Sequence, residues 1–255
     1  MMNAVILAAG DATRFTPALN KPKCLLEVGG TSLLKRQLRL LDEVGVRQVT
    51  IVVGHLAAQI ERELESCEHW CRVQLISNRD YNLGSALSLL RGLASVGTGP
   101  VLILDADLIY AREVVAHVLR ASALNCLPVD EQFEDTGEEV KIVALPSGRV
   151  EALGKSAVPV NGRVVGESVG IFKFDSKAAN ALSRRLALAV KDNPDTEYES
   201  VIDSLLHEVE LSCVAITGLP WIEIDFAEDL VRAETVVWPK IAALEASPAG
   251  GRGNR

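Results

Sequence analysis

Short runs of consecutive apolar residues recur in the first part of the chain and alternate with helical patterns. Two runs, residues 4–7 and 101–104, are unbroken, and two further segments, residues 48–53 and 73–76, are mostly apolar. Unbroken apolar runs of this length are typical of strands that are buried on both faces, as in a parallel sheet. Residues 32–44 and 57–64, which lie between runs, repeat apolar side chains at the helical period. The alternation predicts an α/β fold with a mostly parallel sheet and helices on both faces.

The composition is that of a globular protein with a net negative charge. The chain has 255 residues, 48% of them hydrophobic, and a net charge of −8. This charge argues against a nucleic-acid partner. No apolar stretch reaches the roughly 20 residues of a membrane span, and the N-terminus lacks a signal-peptide layout. We therefore expect a cytoplasmic protein that binds neither nucleic acid nor a membrane, with its five cysteines as reduced thiols.

The first apolar run ends in a turn suited to an anion. Residues 8–10, Ala-Ala-Gly, allow a tight backbone turn. Backbone N–H groups at the end of a strand can then point toward one negatively charged ligand. Arg14 and Lys23 follow, separated by a loop that contains Pro17 and Pro22. Because two cations can converge on this turn, the pattern predicts a polyphosphate site.

Carboxylates follow the most apolar run and recur on a later strand. Asp105 and Asp107 directly follow residues 101–104, and alternation over residues 221–225 places Glu223 and Asp225 on one strand face. Burying such charges is costly unless a cation compensates. Mg²⁺ binds one or two carboxylates together with phosphate oxygens. The pattern indicates a Mg²⁺ site; for Asp105 and Asp107 the alternative is a cap for a helix over residues 111–121.

Residues 3–26 resemble the N-terminal signature of the nucleotidyltransferases that activate sugar phosphates, choline phosphate and related phospho-alcohols. The family pattern is Leu-Ala-Ala-Gly-x-Gly-Thr-Arg-Leu-x-Pro, ending in Pro-Lys. This chain departs from it at Asp11, which brings a negative charge, and at Ala12, which replaces the second glycine. The resemblance implies the Rossmann-like fold of nucleotide-diphospho-sugar transferases, also described as GT-A-like.

The resemblance also implies a domain organisation. It extends over residues 3–240 and implies a single domain over residues 1–240. Within that domain, residues 125–174 are expected to form a small antiparallel lobe on the acceptor side. Residues 241–255 are expected to be a disordered tail. A homodimer is expected from the resemblance alone.

Individual residues acquire roles through this resemblance. Asp107 and Asp225 would hold Mg²⁺, while Arg14, Lys23 and Lys155 would be catalytic, the first two on the triphosphate and the third on the acceptor. Residues expected to contact the nucleotide are Leu7, Ala8, Ala9, Gly10, Asp11, Ala12, Thr13, Arg14, Lys23, Asn82, Gly84, Ser85, Asp105 and Ala106. Residues expected to contact the acceptor are Lys155, Glu167, Tyr198 and Trp221. Ser85 is also predicted to cap the helix that follows it, and for Glu167 a surface charge is the alternative.

The resemblance is closest to small cytidylyltransferases that act on choline phosphate, inositol phosphate or phosphonates such as 2-aminoethylphosphonate. It implies that an acceptor oxygen attacks the α-phosphorus of CTP and that pyrophosphate leaves. Two alternatives stay open. One is a sugar-1-phosphate nucleotidyltransferase that uses UTP, GTP or dTTP. The other is a non-catalytic nucleotide-sensing homologue, which the altered residues 11 and 12 favour.

Overall fold

The apolar runs of the sequence become neighbouring strands of one sheet in the computed structural model. The structure describes residues 1–11, 15, 20–65 and 70–246. Its strands and helices are β1 (Asn3–Ala8), β2 (Glu27–Val28), β3 (Thr31–Ser32), α1 (Leu33–Glu43), β4 (Gln48–Val53), α2 (Ala57–Glu65), β5 (Arg72–Ser77), α3 (Ser85–Val96), β6 (Val101–Asp105), β7 (Leu108–Tyr110), α4 (Arg112–Arg120), β8 (Cys126–Asp130), β9 (Lys141–Ala144), β10 (Val150–Gly154), β11 (Arg163–Ser168), β12 (Ile171–Phe174), α5 (Ser176–Asp192), α6 (Tyr198–Leu205), β13 (Ser212–Ala215), β14 (Trp221–Glu223), α7 (Ala227–Arg232) and α8 (Trp238–Ala246). A π-helical segment, Ala233–Val237, joins α7 to α8.

The parallel half of the sheet has β1 at its centre. The strand order is β10-β9-β11-β8-β12-β6-β1-β4-β5, and β13 pairs with β8. β1 is parallel to both β4 and β6, with Ile6 opposite Ile51 on one side and Leu104 on the other. β5 continues the parallel pairing beyond β4. The carboxyl ends of β1, β4, β5 and β6 therefore lie along one edge, as the alternating pattern predicted.

Helices cover both faces of the sheet. Ile6 of β1 lies in one core cluster with Leu38 of α1 and Val115 of α4. Val5, the residue before Ile6, faces the other side of the sheet and lies in a second core cluster with Leu89 of α3. A strand that is buried on both faces has no polar side to alternate with its apolar side. This burial explains the unbroken apolar run and confirms the predicted helices on both faces. None of the helices in the described ranges is long and apolar enough to cross a membrane.

Helix α3 packs against the sheet at Gly92. A Cβ atom at this position would lie 2.5 Å from Val5 Cγ1 and 3.0 Å from Val52 Cγ2. Overpacking of this kind costs about 1–3 kcal/mol, whereas alanine gains about 1 kcal/mol over glycine in helix propensity. We expect Gly92→Ala to lower the free energy of unfolding by about 1 kcal/mol net, measured by urea denaturation.

The exposed Ala94 on the same helix provides the control. Ala94→Gly should show the effect of helix propensity alone, which lowers the free energy of unfolding by about 1 kcal/mol. A gain of stability in Gly92→Ala as large as the loss in Ala94→Gly would show that the helix can move away from the sheet without cost.

The expected antiparallel lobe is present as strands β8 to β12, and it continues the central sheet. β12 pairs antiparallel with β6, with Phe172 opposite Ile103. β8, β11, β9 and β10 extend this antiparallel half. The segment of residues 125–174 is therefore attached to the same strand, β6, whose carboxyl end carries Asp105.

The C-terminal boundary predicted at residue 241 falls inside a helix. α8 continues to Ala246, and Ile241 is fully buried in a third core cluster with Val28 and Ile222. Trp238 lies beside Arg36, whose guanidinium carbon is 5.1 Å from the indole centroid. Apolar anchors on α8 therefore hold residues 241–246 against the domain, so the prediction of a tail is wrong for them. Residues 247–255 lie outside the described residues.

Candidate active site

A cavity of about 360 Å³ lies at the carboxyl ends of β1 and β6. It is lined by many of the residues that the sequence assigned to the nucleotide, the metal or the acceptor: Leu7, Ala8, Ala9, Gly10, Asp11, Lys23, Ser85, Asp105, Ala106, Asp107 and Tyr198. It is also lined by Tyr81, Glu197 and Glu199, and by five residues that were not predicted to bind a ligand: Pro22, Cys24, Leu83, Ser88 and Glu223. Arg14, Ala12 and Thr13 lie outside the described residues, so their roles stay predictions.

Backbone contacts fix the turn at the end of β1. Ala106 N–H donates to Leu7 O at 3.3 Å, and His55 N–H donates to Ala9 O at 3.0 Å. Gly54 is needed where it lies, because a Cβ there would meet Ala9 O at 2.7 Å. The predicted phosphate turn is therefore held between the ends of β4 and β6.

Lys23 lies between two aspartates that are remote in the sequence. Its Nζ is 3.1 Å from Asp107 Oδ2 and 2.5 Å from Asp225 Oδ1. β14 pairs with β7, and Ile224 N–H donates to Asp107 O at 3.0 Å, which brings the two aspartates together. Burial lowers the pKa of Lys23, but the carboxylates of Asp107 and Asp225 outweigh it, so this pKa lies above its usual value. The ammonium therefore stays charged.

The two aspartates that bond Lys23 belong to a cluster of three carboxylates. Oxygen atoms of Asp107, Glu223 and Asp225 lie within 4.8 Å of one another. Glu223 was placed on this strand face by the alternation but was not predicted as a ligand. Three anionic groups beside one ammonium have the oxygen chemistry that suits a hard divalent cation. The alternative role for Asp105 and Asp107 as caps of α4 is wrong, because Ala111 is the N-cap there and receives no side-chain bond.

Carboxylates also line the cavity at the ends of β6 and α6. Tyr198 OH donates to Asp105 Oδ2 at 2.7 Å. The Tyr198 ring is held edge-on against Phe172, with centroids 5.9 Å apart. Burial, followed by the charges of Glu199 and Glu223, holds the pKa of Asp105 well above its usual range. Burial also raises the pKa of Glu199 to about 7.

The predicted capping role of Ser85 is wrong. Gly84 is the N-cap of α3, and the cap makes no side-chain hydrogen bond. Gly84 N–H donates to Pro194 O at 3.1 Å, and Ser85 N–H donates to Glu197 Oε2 at 3.2 Å. The Ser85 hydroxyl also contacts that carboxylate. A distant loop therefore occupies the donors of the helix start, and Gly84 and Asn82 are not among the residues lining the cavity.

The other predicted acceptor residues lie apart from the lining of the cavity. Lys155 Nζ pairs with Glu138 Oε2 at 2.7 Å on the surface. Trp221 Nε1 donates to Asp130 Oδ2 at 2.9 Å. Glu167 lies on β11 opposite Asp130 of β8. Of the four, Tyr198 alone lines the cavity, and the acceptor roles stay predictions.

Glu167 gives the antiparallel half a pH-dependent stability. Burial, with Glu139 and Asp130 nearby, raises its pKa from 4.5 to about 7. Because the folded state favours the protonated acid, this stability is present below pH 4.5 and is lost as the pH rises through about 7. After allowance for solvent screening, we expect Glu167→Gln to stabilise the protein by about 1 kcal/mol at alkaline pH, a Tm increase of about 2–4 °C.

Thermal unfolding at about pH 5.5 and about pH 8.5 checks this expectation, since the gain should be smaller at the lower pH. Glu61→Gln, on the exposed side of α2, is the control. An equal Tm shift at both pH values would contradict the assignment.

Comparison with known proteins identifies the family to which this chain is similar. The model of the MobA-like NTP transferase domain matches residues 4–168. The chain is 27% identical over 233 residues to a 2-aminoethylphosphonate cytidylyltransferase of Lancefieldella rimae, covering 89% of this chain and 90% of that protein.

Two further proteins are similar to this chain. It is 25% identical over 234 residues to a bifunctional IPC transferase and DIPP synthase of Thermococcus kodakarensis, covering 92% of this chain but only 50% of that protein. The solved structure of the inositol-1-phosphate CTP transferase from T. maritima has a TM-score of 0.78 and 18% identity, covering 98% of each chain, and shows the fold. Because the family model spans more than half of the sequence, the chain belongs to the family of MobA-like NTP transferase domains.

Proposed function

We propose that the protein is a Mg²⁺-dependent cytidylyltransferase. It transfers CMP from CTP to a small phosphate or phosphonate acceptor, of the phosphocholine, inositol phosphate or aminoethylphosphonate type, and releases pyrophosphate. The observation that carries this proposal is the cluster of Asp107, Glu223 and Asp225, two of which bond Lys23. The similarity to a 2-aminoethylphosphonate cytidylyltransferase supports CTP as the nucleotide.

The proposed reaction needs no general base. An anionic oxygen of the acceptor forms a bond to the α-phosphorus of CTP. The bond from that phosphorus to the oxygen bridging to the β-phosphorus breaks, and pyrophosphate leaves with the electron pair. Since the attacking oxygen is already negatively charged, alignment and charge neutralisation carry the step.

Different residues are proposed to bind the metal ion and to neutralise the charge of the triphosphate. Asp107, Glu223 and Asp225 would hold Mg²⁺, which when bound supplies a positive charge for the phosphate oxygens. Lys23 presents its ammonium at the cavity, where the β1 turn would hold the triphosphate. Arg14 is proposed to act with Lys23 on the pyrophosphate. The cavity volume lies in the range of small-molecule sites.

Pyrophosphate release tests the proposal. CTP, UTP, GTP, ATP and dTTP are each combined with phosphocholine, inositol 1-phosphate, 2-aminoethylphosphonate and hexose 1-phosphates, with Mg²⁺ or with EDTA. We expect release with CTP and a small acceptor in Mg²⁺ alone. Release from UTP, GTP or dTTP with a hexose 1-phosphate would replace the proposal with sugar-nucleotide synthesis. Nucleotide binding without release from any pair would point to the sensing role.

A further inference from the structure

We infer that Gln37 is a positioning residue of the candidate metal site, because its side chain ties together the two ends of the turn that carries Asp107. The inference rests on the proposed function, since it concerns a carboxylate that would hold Mg²⁺ there. Gln37 belongs to α1 and is not among the described residues that line the cavity. It would therefore act through the backbone of the turn and would not touch a ligand.

The turn between β6 and β7 is short and is bridged by one side chain. β6 ends at Asp105 and β7 begins at Leu108, so only Ala106 and Asp107 connect them. Gln37 Nε2 donates to Asp105 O at 3.0 Å and to Leu108 O at 3.3 Å. A primary amide has two N–H donors, one for each carbonyl. The bridge limits the backbone angles of the turn and so limits where the Asp107 carboxylate can lie.

Main-chain hydrogen bonds hold the same turn from other directions. Asp105 N–H and Ala106 N–H donate to the residue before β12 and to β1, at 3.0 Å and 3.3 Å. Asp107 O accepts a bond from the segment that follows β14. Gln37 adds the side-chain donors that reach both flanking residues of the turn. Asp107 is thus placed by a network that joins the sheet to α1.

Gln37 is an unfavourable residue to bury at this position. It is 1% exposed, and the nearby Leu34, Leu38 and Leu41 of α1 are buried and apolar. Its Oε1 has no hydrogen-bond partner within the part of the chain that the structure describes. A buried amide oxygen without a partner lowers stability, and an apolar side chain has no such atom. Packing alone does not account for an amide here, whereas the two bonds to the turn do.

The helix that carries Gln37 is itself fixed against β7. Arg36, which is also buried, donates from Nη2 to Tyr110 O at 3.1 Å. Leu108 and Tyr110 are two positions apart on β7, and alternate carbonyls of a strand point to the same side. α1 therefore holds β7 at two successive carbonyls. Gln37 is attached to a support that does not move freely relative to the turn.

Gln37→Met tests the role, because it removes both donors and keeps an unbranched side chain of similar length. Mn²⁺ is the probe, and its binding to the folded protein is measured by electron paramagnetic resonance with and without CTP. Groups that orient metal ligands typically change affinity by ten- to a hundredfold. We expect the dissociation constant of Mn²⁺ to rise about tenfold. The Mg²⁺ concentration for half-maximal pyrophosphate release should rise similarly, with the KM for CTP at saturating Mg²⁺ within about twofold of wild type.

Lys173→Met is the matched control. Lys173 is also buried, and its Nζ donates to a backbone carbonyl, that of Ala121, at 3.0 Å. It lies on β12 opposite Leu102, away from the turn. Its loss should lower the stability to urea and leave the Mn²⁺ dissociation constant within about twofold of wild type. If Gln37→Met likewise lowers stability alone, Gln37 is only a core residue and the inference is overturned.

A measurement on the wild-type protein guards against a variant that does not fold. The side-chain amide of Gln37 is observed in ¹H–¹⁵N spectra after assignment through its own bonds. Because it is buried and bonded to the turn, its protons should exchange slowly with solvent. Its resonances should shift as Mg²⁺ saturates the site. Rapid exchange, or no shift at saturation, contradicts the positioning role.

The positioning role and the proposed function fail in different ways. If Gln37→Met weakens Mn²⁺ binding but no pair of nucleotide and acceptor releases pyrophosphate, the positioning role stands and cytidylyl transfer is overturned. If the wild type releases pyrophosphate in Mg²⁺ and Gln37→Met binds Mn²⁺ as tightly as it does, the reverse holds. A wild-type protein that binds no Mn²⁺, with or without CTP, overturns both.

Discussion

Replacing Asp107 or Asp225 with asparagine is expected to lower the rate of pyrophosphate release by at least about a thousandfold. Each aspartate supplies an oxygen to the cluster whose members lie within 4.8 Å of one another. A neutral amide is a poor ligand for Mg²⁺ and leaves the developing charge without compensation. Lys23 keeps one carboxylate partner in either variant, so we expect the fold to persist. Initial rates over a Mg²⁺ titration, with CTP and the preferred acceptor, measure the effect.

Glu228→Gln is the matched control for these variants. Glu228 is exposed on α7, three positions after Asp225, and lies outside the carboxylate cluster. Its loss should leave the rate within about twofold of wild type. A rate for Asp225→Asn within tenfold of wild type at saturating Mg²⁺ would falsify the assignment of Asp225 as a ligand.

Lys23→Met is expected to destabilise the protein by about 3 kcal/mol when metal is absent. Lys23 is largely buried, with 12% of its side chain exposed, and it separates two carboxylates that would otherwise face each other. Mg²⁺ should recover much of this stability, because it would neutralise the same carboxylates. The variant should also release pyrophosphate about a hundredfold more slowly. Urea denaturation in EDTA and in Mg²⁺ measures the stability.

Lys21→Met provides the comparison for this effect. Lys21 pairs with Glu27 at 3.5 Å, but both side chains are well exposed, at 41% and 65%. Removing such a surface pair should cost less than about 1 kcal/mol with or without metal. If Lys23→Met loses no more stability than Lys21→Met, or loses the same amount in EDTA and in Mg²⁺, Lys23 does not substitute for a metal ion.

The parallel half of the fold was predictable because its signal is local. A strand buried on both faces needs a largely apolar sequence, and the mostly apolar segment Gln48–Val53 has the bounds of β4 itself. Since the carboxyl ends of parallel strands share one edge, Asp105 could be placed beside the β1 turn before any coordinates. The recognition of the nucleotidyltransferase family, which was based on the motif of residues 3–26, is also confirmed.

Contacts between side chains that are far apart in the sequence could not be predicted from a local pattern. Ser85 follows a glycine at a helix start, which is a local capping pattern, yet Glu197, 112 residues away, occupies its hydroxyl and its backbone N–H. Glu197 and Glu199 reach the cavity from the start of α6, where the helical period does not show which side chains they meet. Contacts of this kind depend on the packing of helices, which periodicity does not specify.

The third core cluster links the C-terminal helix to the segment that carries Glu223 and Asp225. Ile222 and Ile224 lie on either side of Glu223 and are buried with Ile241 of α8, while Trp238 packs against the same cluster. Glu245 of α8 also bonds Arg36 at 2.6 Å. The segment from Ile222 to Asp225, which carries two of the three clustered carboxylates, is thus supported from behind by a helix that does not line the cavity. Natural selection for catalysis would consequently act on the packing residues of α8 as well as on the residues of the cavity.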